Sequence, residues 1–272
     1  MIGPKKENVK TTRVLILGCG WVGEEFAIQC RNQGIEVWAS TTNIEKYHRL
    51  KSDGIFAFLM NFDQGHQVPN FLPDTFDYVL TSVPASKKNT IPTISQRFDN
   101  VSHFIRLLQY DKHIFLSSIG VYPDVEGPID ENFSDKGSLN RLLFLAEDKM
   151  RSLSQTTVFR LGGLFGKNRI FAKYFAGKIC TTGDQPANFI HLADVIRLLF
   201  GVFSTDLKDN LFNIVCPAHP LKKEVIVASA AKYGYELPIS FEPERITQKI
   251  ISSDRVIQAL GYTFIYPSPL NF

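Results

Sequence analysis

The sequence has few of the features that mark secreted, membrane-bound or nucleic-acid-binding proteins. It contains only four cysteines, and they show no paired spacing: Cys19, Cys30, Cys180 and Cys216. This pattern indicates reduced thiols in a cytoplasmic protein, and no spacing of His, Cys or carboxylates predicts a disulfide framework or a metal site. No stretch approaches the roughly 18 consecutive apolar residues of a membrane span. The formal net charge of +3 is close to balance, so neither a nucleic acid nor an anionic membrane is predicted as a partner.

Strand-like and helix-like segments alternate through the first part of the chain, which is typical of a parallel sheet covered on both faces. The predicted strands are 14–17, 36–40, 55–60, 78–82, 113–117 and 157–161. The predicted helices are 22–33, 44–51, 91–108 and 139–153. Because crossovers between parallel strands are right-handed, these elements predict an α/β fold with a Rossmann-type doubly wound parallel sheet.

The pattern becomes less regular after residue 166. Helices are predicted at 194–203 and 222–233, and short strands at 188–191 and 212–215. We therefore divide the chain into a polar flexible leader (1–12), a Rossmann domain (13–166) and a smaller C-terminal substrate lobe (167–272). The lobe is expected to pack on the carboxyl edge of the sheet, where α/β proteins bind ligands.

The most informative segment is the sequence GCGWVG at 18–23, which follows an apolar run and precedes a helical pattern. At this spacing Gly18 permits a tight turn, Gly20 lets a pyrophosphate approach the backbone, and Gly23 lets the helix pack closely on the strand. Trp21 and Val22 open that helix, whose N-terminus would face the phosphates. The context of the motif predicts dinucleotide binding.

The end of the second predicted strand carries no carboxylate, because the chain reads ASTTN at 39–43. NAD sites place an acidic residue there, whereas NADP sites place a positive group. Thr42 and Asn43, with Lys46 one turn later, can hold a 2′-phosphate, and they fit equally well as a helix cap and first turn. The cofactor is predicted as NAD or NADP, and the missing carboxylate favours NADP. Ser82 and Pro84 end the fourth strand and are predicted to line the same groove.

Several later segments together resemble the extended branch of the short-chain dehydrogenase/reductase superfamily, the NAD-dependent epimerase/dehydratase type. These segments are FLSSIGVY at 115–122, FRLGGLFG at 159–166 with Arg169, NFIH at 188–191 with Asp194, FNI at 212–214 and LGY at 260–262. The likeness covers nearly the whole chain in order. It implies a Rossmann fold, a nicotinamide dinucleotide and a small-molecule substrate, acted on by an oxidoreductase or an epimerase/dehydratase.

The resemblance also implies roles for individual residues. Ser117 and Asn61 fall at cofactor positions, although the family usually has an acidic residue where Asn61 stands. The candidate catalytic residues are Ser118, which would polarise a substrate oxygen or merely bond backbone, and Tyr122, which would supply a proton or merely pack. The candidate substrate-binding residues, each with a purely structural alternative, are Arg160, Asn188 and His191.

The Tyr-x-x-x-Lys pair that relays the proton in this family is missing. Counting back from AED at 146–148, the Tyr position falls on Leu139 and the Lys position on Leu143. Neither side chain can titrate, and an isolated serine hydroxyl is no general base near neutral pH. A proton donor would then have to come from Tyr122, His191, Lys136 or water.

Two hypotheses remain open at this stage. The first is an NAD(P)-dependent oxidoreductase or epimerase/dehydratase with a relocated acid–base group, acting on a small carbonyl or sugar substrate. The alternative is a catalytically inactive dinucleotide-binding sensor or scaffold. The apolar stripe on the 139–153 helix fits either the core of the chain or a homodimer face.

Overall fold

A parallel sheet wrapped by helices forms the centre of the molecule. The computed structural model describes residues 11–65, 67–86, 88–242 and 247–272. The predicted leader, 1–12, lies outside the described residues except for its last two positions.

The helices and strands follow the predicted order and add several short elements. The strands are β1 Arg13–Leu17, β2 Glu36–Thr41, β3 Phe56–Leu59, β4 Thr75–Thr81, β5 Gln109–Ser118, β6 Gly127–Ile129, β7 Thr156–Leu161, β8 Gly163–Phe165, β9 Ile179–Cys180, β10 Phe189–His191, β11 Leu211–Ile214, β12 Ser240–Phe241 and β13 Lys249–Ile251. The helices are α1 Trp21–Asn32, α2 Ile44–Ser52, α3 Ile91–Arg106, α4 Arg141–Arg151, α5 Phe171–Phe175, α6 Leu192–Ser204, α7 Lys222–Tyr233 and α8 Asp254–Leu260.

Within the described chain, seven strands form the main sheet in the order β11-β7-β5-β4-β1-β2-β3. Every neighbouring pair in this sheet is parallel. The order β3-β2-β1-β4-β5 reverses direction between β1 and β4, which is the doubly wound pattern. The predicted Rossmann-type α/β fold is confirmed. The reversal places a crevice at the carboxyl ends of β1 and β4.

The two faces of the sheet bury separate apolar cores, and β1 shows how the sequence divides between them. Val14 and Ile16 belong to the core that also contains residues of α1 and α6. Leu15 and Leu17 belong to the opposite core, with residues of α3 and α4. Alternate side chains of a strand point to opposite faces, so an unbroken apolar run is what a strand covered on both faces requires.

The part of the chain predicted as a separate lobe contributes directly to the main sheet. The strand β11 pairs with β7 and forms one edge of the sheet, and α6 packs against α1. The boundary predicted at 166 therefore does not divide the molecule into two cores. Short parallel pairs outside the main sheet (β10 with β8, β12 with β9, β13 with β6) form the smaller region beside the carboxyl edge.

Helix α4 begins two residues later than the sequence predicts. Asn140 caps it, and its side chain accepts a hydrogen bond from the Leu143 amide. Leu139 therefore precedes the helix and does not share a helical face with Leu143. The stripe residues Leu143, Ala146 and Met150 are buried in the core of the same chain. A homodimer through this helix stays a prediction.

Across the described ranges, no helix is both long and apolar enough to cross a bilayer.

Candidate functional site

A groove of about 890 Å³, called here the larger cavity, opens at the carboxyl ends of β1, β2 and β4. Most residues predicted to bind the cofactor line it: Gly18, Gly20, Trp21, Val22, Thr42, Asn43, Asn61, Ser82 and Pro84. Gly23 and Ser117 are not in its lining. The structure thus brings together side chains that are separated by up to 66 positions in the sequence.

The three glycines of the loop have different surroundings. Gly18 has φ +77°, and a Cβ there would lie 2.9 Å from the backbone nitrogen of Val83. A Cβ on Gly20 would meet nothing closer than 3.8 Å, so this position is open towards the cavity. A Cβ on Gly23 would lie 3.1 Å from Cγ2 of Ile16, which explains why the helix can pack so closely on β1. The backbone therefore turns at Gly18, leaves access at Gly20 and packs at Gly23.

The N-terminus of α1 lies at Gly20, the glycine that is open towards the larger cavity. Gly20 is the cap residue, and no side chain caps the helix. The first backbone N–H groups of a helix lack internal partners and carry partial positive charge. The rim is closed by Trp21, whose Nε1 donates to Oδ1 of Asn168 at 3.0 Å and whose ring lies 4.3 Å from the Arg169 guanidinium. The arrangement suits an anionic group at the start of the helix.

The end of the groove beside β2 carries two cations and no carboxylate at the strand end. Asn43 is the N-cap of α2, because its Oδ1 accepts from the Lys46 amide at 2.7 Å. This is the helix-cap role that the sequence left open beside phosphate binding. Lys46 and Arg49 line the cavity, and both form ion pairs with Glu24, at 2.9 and 2.6 Å. Burial alone would raise the pKa of Glu24, but hydrogen bonds from Lys46 and Arg49 hold that pKa below its ordinary value.

The wall opposite the glycine loop is braced by a cation that the sequence analysis missed. Asn61 folds into a local turn in which its Oδ1 accepts from the Asp63 amide. Arg97 on α3 binds both carboxylate oxygens of Asp63, at 2.7 and 2.8 Å, and donates to the Pro84 carbonyl at 2.7 Å. This guanidinium therefore ties the loops after β3 and β4 together. A single arginine in a helix gives no motif by which the sequence could have identified it.

A second cavity of about 270 Å³, called here the smaller cavity, lies beyond the end of β5. Its lining consists of Ser118, Ile119, Gly120, Asp124, Gln185, Pro186, Asn188, Phe189, Lys222, Thr247 and Lys249. Two of the predicted residues, Ser118 and Asn188, are among them. Ser118 Oγ accepts from the Gly120 amide at 3.0 Å, while Asn188 binds backbone groups of Lys249 and Ile251, each at 2.8 Å. Both side chains thus shape the cavity and hold its walls.

The predicted catalytic Tyr122 does not reach this cavity. Its side chain is buried, and its hydroxyl donates to Oδ1 of Asn213 at 2.9 Å and to the Asp130 carbonyl. Burial raises the pKa of Tyr122, although the nearby Arg160 acts in the opposite direction. In the structure Tyr122 is therefore a packed, internally hydrogen-bonded residue.

Arg160 and Ser117 are both directed into the protein rather than towards a ligand. Glu147 on α4 is fully buried, and its carboxylate accepts from Arg160 Nη2 at 2.6 Å and from Ser117 Oγ at 2.5 Å. A buried carboxylate requires a counter-charge, and the guanidinium of Arg160 supplies it. In the structure the partner of Arg160 is therefore internal, and its assignment to a substrate stays a prediction.

His191 also serves the fold. Its Nδ1 accepts from the Ala193 amide at 3.1 Å at the start of α6, and its ring stacks on Tyr266 with centroids 3.6 Å apart. It lines neither the larger nor the smaller cavity. Burial lowers the pKa of this histidine, which favours the neutral ring that accepts this hydrogen bond.

The two positions of the missing Tyr-x-x-x-Lys pair hold leucines, Leu139 and Leu143, that pack in an apolar cluster. Leu143 is buried in a cluster with Val121 and Ile251, and Leu139 packs against the same cluster. The cluster includes Val121, which ends the turn that follows Ser118. Two lysines that sequence reasoning missed, Lys222 and Lys249, supply titratable groups to the smaller cavity instead. They come from α7 and β13, so only the folded chain brings them to the end of β5.

Comparison with known proteins places this geometry among dinucleotide-fold proteins. No protein-family model matches the chain. It is 27% identical over 277 residues to Protein YeeZ of Escherichia coli (strain K12), a match that covers 95% of this chain and 97% of that protein. A functionally unknown conserved protein from Silicibacter pomeroyi DSS superposes with a TM-score of 0.73 at 20% identity, covering 96% of both chains.

A third similar protein has a named activity. The UDP-glucuronic acid 4-epimerase from Bacillus cereus, in complex with NAD, superposes with a TM-score of 0.70 at 18% identity, covering 96% of this chain and 94% of that one. The sequence had implied the extended short-chain dehydrogenase/reductase type from separate motifs, and the superposition with this epimerase covers 96% of the chain. The chain has the same Rossmann-type fold as these epimerase and epimerase/dehydratase structures.

Proposed function

We propose that this chain is an atypical member of the extended short-chain dehydrogenase/reductase superfamily that binds a nicotinamide dinucleotide in the larger cavity and oxidises or reduces a small substrate in the smaller one. The observation that carries the proposal is the open approach at Gly20 to the uncapped N-terminus of α1. Backbone N–H groups at a helix start bind phosphates, and the cavity volume of about 890 Å³ is in the range of ligand pockets.

The residues present fit the parts of a dinucleotide. The amides of Trp21 and Val22 would hold the pyrophosphate, and the turn at Asn61 would meet the adenine end. The strand ends of β4 and β5 adjoin, since Thr81 pairs with Phe115, so a dinucleotide that extends along this edge of the sheet past Ser82 would run towards Ser118. A bound nicotinamide supplies hydride chemistry at that end, and the chain itself positions the reacting groups.

The ribose end of the larger cavity supports NADP(H) over NAD(H). The end of β2 has Thr41 and Thr42 where an NAD site would carry an acid. Lys46 and Arg49 both pair with Glu24, and both line this end of the cavity, as does Glu45 at the start of α2. The two cations are the groups that would attract a 2′-phosphate.

The size of the smaller cavity supports a small carbonyl compound or the corresponding alcohol as substrate. Its volume of about 270 Å³ is below the range typical of drug-sized ligands. Ser118 can donate its hydroxyl hydrogen to a substrate oxygen, since the contact with Gly120 uses the serine as an acceptor. Leu139 and Leu143 cannot act as acid or base. They favour the alternative function, a binding protein without catalysis, only if no other acid–base group faces the smaller cavity.

Dinucleotide titration tests the first half of the proposal. Quenching of tryptophan fluorescence by NADPH and NADH would be measured for the wild type, Gly20→Val and Gly201→Ala. We expect NADPH to bind more tightly than NADH, and Gly20→Val to weaken binding by about tenfold or more, because its side chain occupies the pyrophosphate path. Gly201→Ala is the control, since its Cβ would make only an ordinary contact of 3.4 Å with Leu260.

Turnover tests the second half. A panel of small aldehydes, ketones and 2-oxo acids would be supplied with the dinucleotide that binds, and oxidation of the cofactor would be followed by absorbance. Turnover of any member supports the enzyme. Binding with no turnover across the panel supports the sensor or scaffold, and failure of both dinucleotides to bind contradicts both functions.

A further inference from the structure

The smaller cavity contains a lysine whose surroundings differ from those of every other cation near it. Lys222 is the first residue of α7, and its Nζ donates to Oε1 of Gln185 at 2.7 Å. Among the described residues, no carboxylate lies within ion-pair distance of Lys222. The neighbouring Lys249, in contrast, is paired with Asp124 at 2.5 Å. One hydrogen of the Lys222 ammonium is used by Gln185, and the others are available to a ligand in the cavity.

The charges around Lys222 destabilise its protonated form. Burial lowers the pKa of Lys222, and the positive charge of Lys249 on β13 lowers it further, against smaller opposing effects of Asp124 and the Cys180 thiol. The ammonium also lies at the positive end of the α7 dipole. A lysine in such a setting can exchange its proton closer to neutral pH than an exposed one.

The other proton donors that the sequence suggested do not line the smaller cavity. Tyr122 is buried against Asn213, and His191 stacks on Tyr266. Lys136 is exposed on the turn that precedes Leu139 and lines neither the larger nor the smaller cavity. Of the described residues, Lys222 is the titratable group that shares a cavity with Ser118 and has no opposite charge bound to it.

We propose that Lys222 is the acid–base catalyst of this chain and protonates the oxygen of a carbonyl substrate that Ser118 polarises. The inference rests on the proposed function, which supplies the reduced dinucleotide. As the carbonyl carbon gains a hydride, the C=O π electrons move to the oxygen. The N–H bond of Lys222 breaks and an O–H bond forms, which leaves an alcohol, the oxidised dinucleotide and a neutral amine that water reprotonates. In the oxidative direction the neutral amine accepts the alcohol proton.

Amine reactivity gives a test that does not depend on turnover. The wild type would be treated with glyoxylate and cyanoborohydride across about pH 7 to 11, and modification of each lysine would be quantified by peptide mass spectrometry. Lys223 is the internal control, because it is adjacent in sequence, is half-buried like Lys222, and has its pKa raised by the Asp184 carboxylate at 2.6 Å. We expect Lys222 to react at least about tenfold faster than Lys223 near neutral pH, since each pKa unit changes the neutral amine fraction tenfold. Equal or slower modification of Lys222 overturns the inference.

Three variants then separate acid–base catalysis from charge. Lys222→Met removes both the charge and the proton, Lys222→Arg keeps the charge on a group that does not release its proton, and Lys223→Met is the matched control. With a carbonyl compound that the wild type reduces, we expect both Lys222 variants to lower kcat on the order of 10²–10⁴-fold. Lys222→Arg should keep KM near the wild-type value, and Lys223→Met should leave both constants unchanged.

Dinucleotide binding distinguishes the two ways in which these experiments can fail. If the wild type binds neither NADPH nor NADH, the proposed function is wrong. If it binds a dinucleotide normally while Lys222→Met retains the wild-type kcat, only the role of Lys222 is wrong.

Discussion

Arg160 at the end of β7 and Glu147 on α4 form a buried ion pair, with Nη2 of the arginine 2.6 Å from Oε2 of the glutamate. The side chains are 4% and 0% exposed, so both charges are removed from water. The guanidinium also lies 4.7 Å from the ring of Tyr122. This pair joins α4 to the end of β7, and neither of its residues lines the larger or the smaller cavity.

The first prediction concerns the energy of this pair. Arg160→Met leaves the Glu147 carboxylate buried without a counter-charge, which should reduce the free energy of unfolding by about 3–5 kcal/mol. The double variant Arg160→Met, Glu147→Leu removes both charges and should recover most of that loss. Urea unfolding followed by circular dichroism measures both values. A single variant as stable as the wild type would show that the pair is not the brace described here.

The second prediction separates a glycine needed for folding from one needed for binding. Gly18→Ala places a Cβ at φ +77° and 2.9 Å from the Val83 nitrogen, so it should lower the free energy of unfolding by about 1–3 kcal/mol. Gly20→Ala should lower it less, by up to about 1 kcal/mol, because alanine is a poorer N-cap than glycine but its Cβ would meet no atom closer than 3.8 Å. Thermal unfolding of both variants in the absence of any dinucleotide makes the comparison. A stable Gly18→Ala protein would contradict the close approach of the loop to the end of β4.

The sequence was sufficient to predict what depends on local pattern. The apolar run before Gly18 is a buried strand because alternate residues enter two cores, and the spacing of the glycines indicates the turn and the helix that follow. The strand order follows from these crossovers. Ser82, which lines the groove, was predicted because the ends of parallel strands must meet at one edge, whereas Asn61 was predicted from the family resemblance.

Residues whose role depends on distant partners could not be predicted in the same way. The segment around Arg160 resembles a family motif, but neither the apolar stripe of α4 nor its AED segment indicates that Glu147 is the partner of Arg160. Lys222 reaches the smaller cavity because α7 starts beside the loop that holds Gln185, and no motif records that contact. The sequence analysis assigned the segment of β11 to the C-terminal lobe because it lies about 50 residues after β7 in the chain. In the structure β11 pairs with β7 and forms an edge of the main sheet.

The third prediction concerns acid stability and His113 on β5. This side chain is fully buried, and its ring nitrogens bond Thr81 Oγ1 at 2.9 Å and Thr156 Oγ1 at 2.8 Å. Burial lowers the pKa of His113 to about 3. The unfolded chain has a pKa near 6.5 at this histidine, so below that pH the unfolded state binds a proton that the folded state does not. This group therefore costs stability as the pH falls from about 6.5 towards 3 and has no effect at higher pH.

The comparison of wild type with His113→Gln isolates that effect. In the wild type, His113 should contribute a loss of about 1.4 kcal/mol per pH unit below pH 6, and the variant should lack this part of the slope. Urea unfolding at about pH 7, 6 and 5 gives the slopes. His103→Gln, at an exposed position on α3, is the control and should keep the wild-type slope. Parallel slopes for the wild type and His113→Gln would refute the prediction.

The C-terminal segment is held by one buried carboxylate on α6. Oδ1 of Asp194 accepts from the Tyr262 hydroxyl and from the Ile265 amide, both at 2.7 Å. Its Oδ2 accepts from the Tyr266 amide at 3.1 Å. Hydrogen bonding to this carboxylate, together with burial, raises the pKa of Tyr262. Asp194 therefore anchors the segment whose Tyr266 ring contacts His191.

The fourth prediction is that Asp194→Asn loosens this segment while the main sheet stays intact. The new amide presents a donor where Oδ2 accepted from Tyr266, so a partly buried N–H loses its partner at a cost of about 1 kcal/mol. Hydrogen exchange with mass spectrometry should show faster exchange over 262–272 and unchanged protection in β1 and β4. Asp254→Asn is the matched control, because that carboxylate bonds only exposed groups near Ser252. Unchanged exchange at Ile265 and Tyr266 in Asp194→Asn would show that the segment is held by its apolar contacts alone.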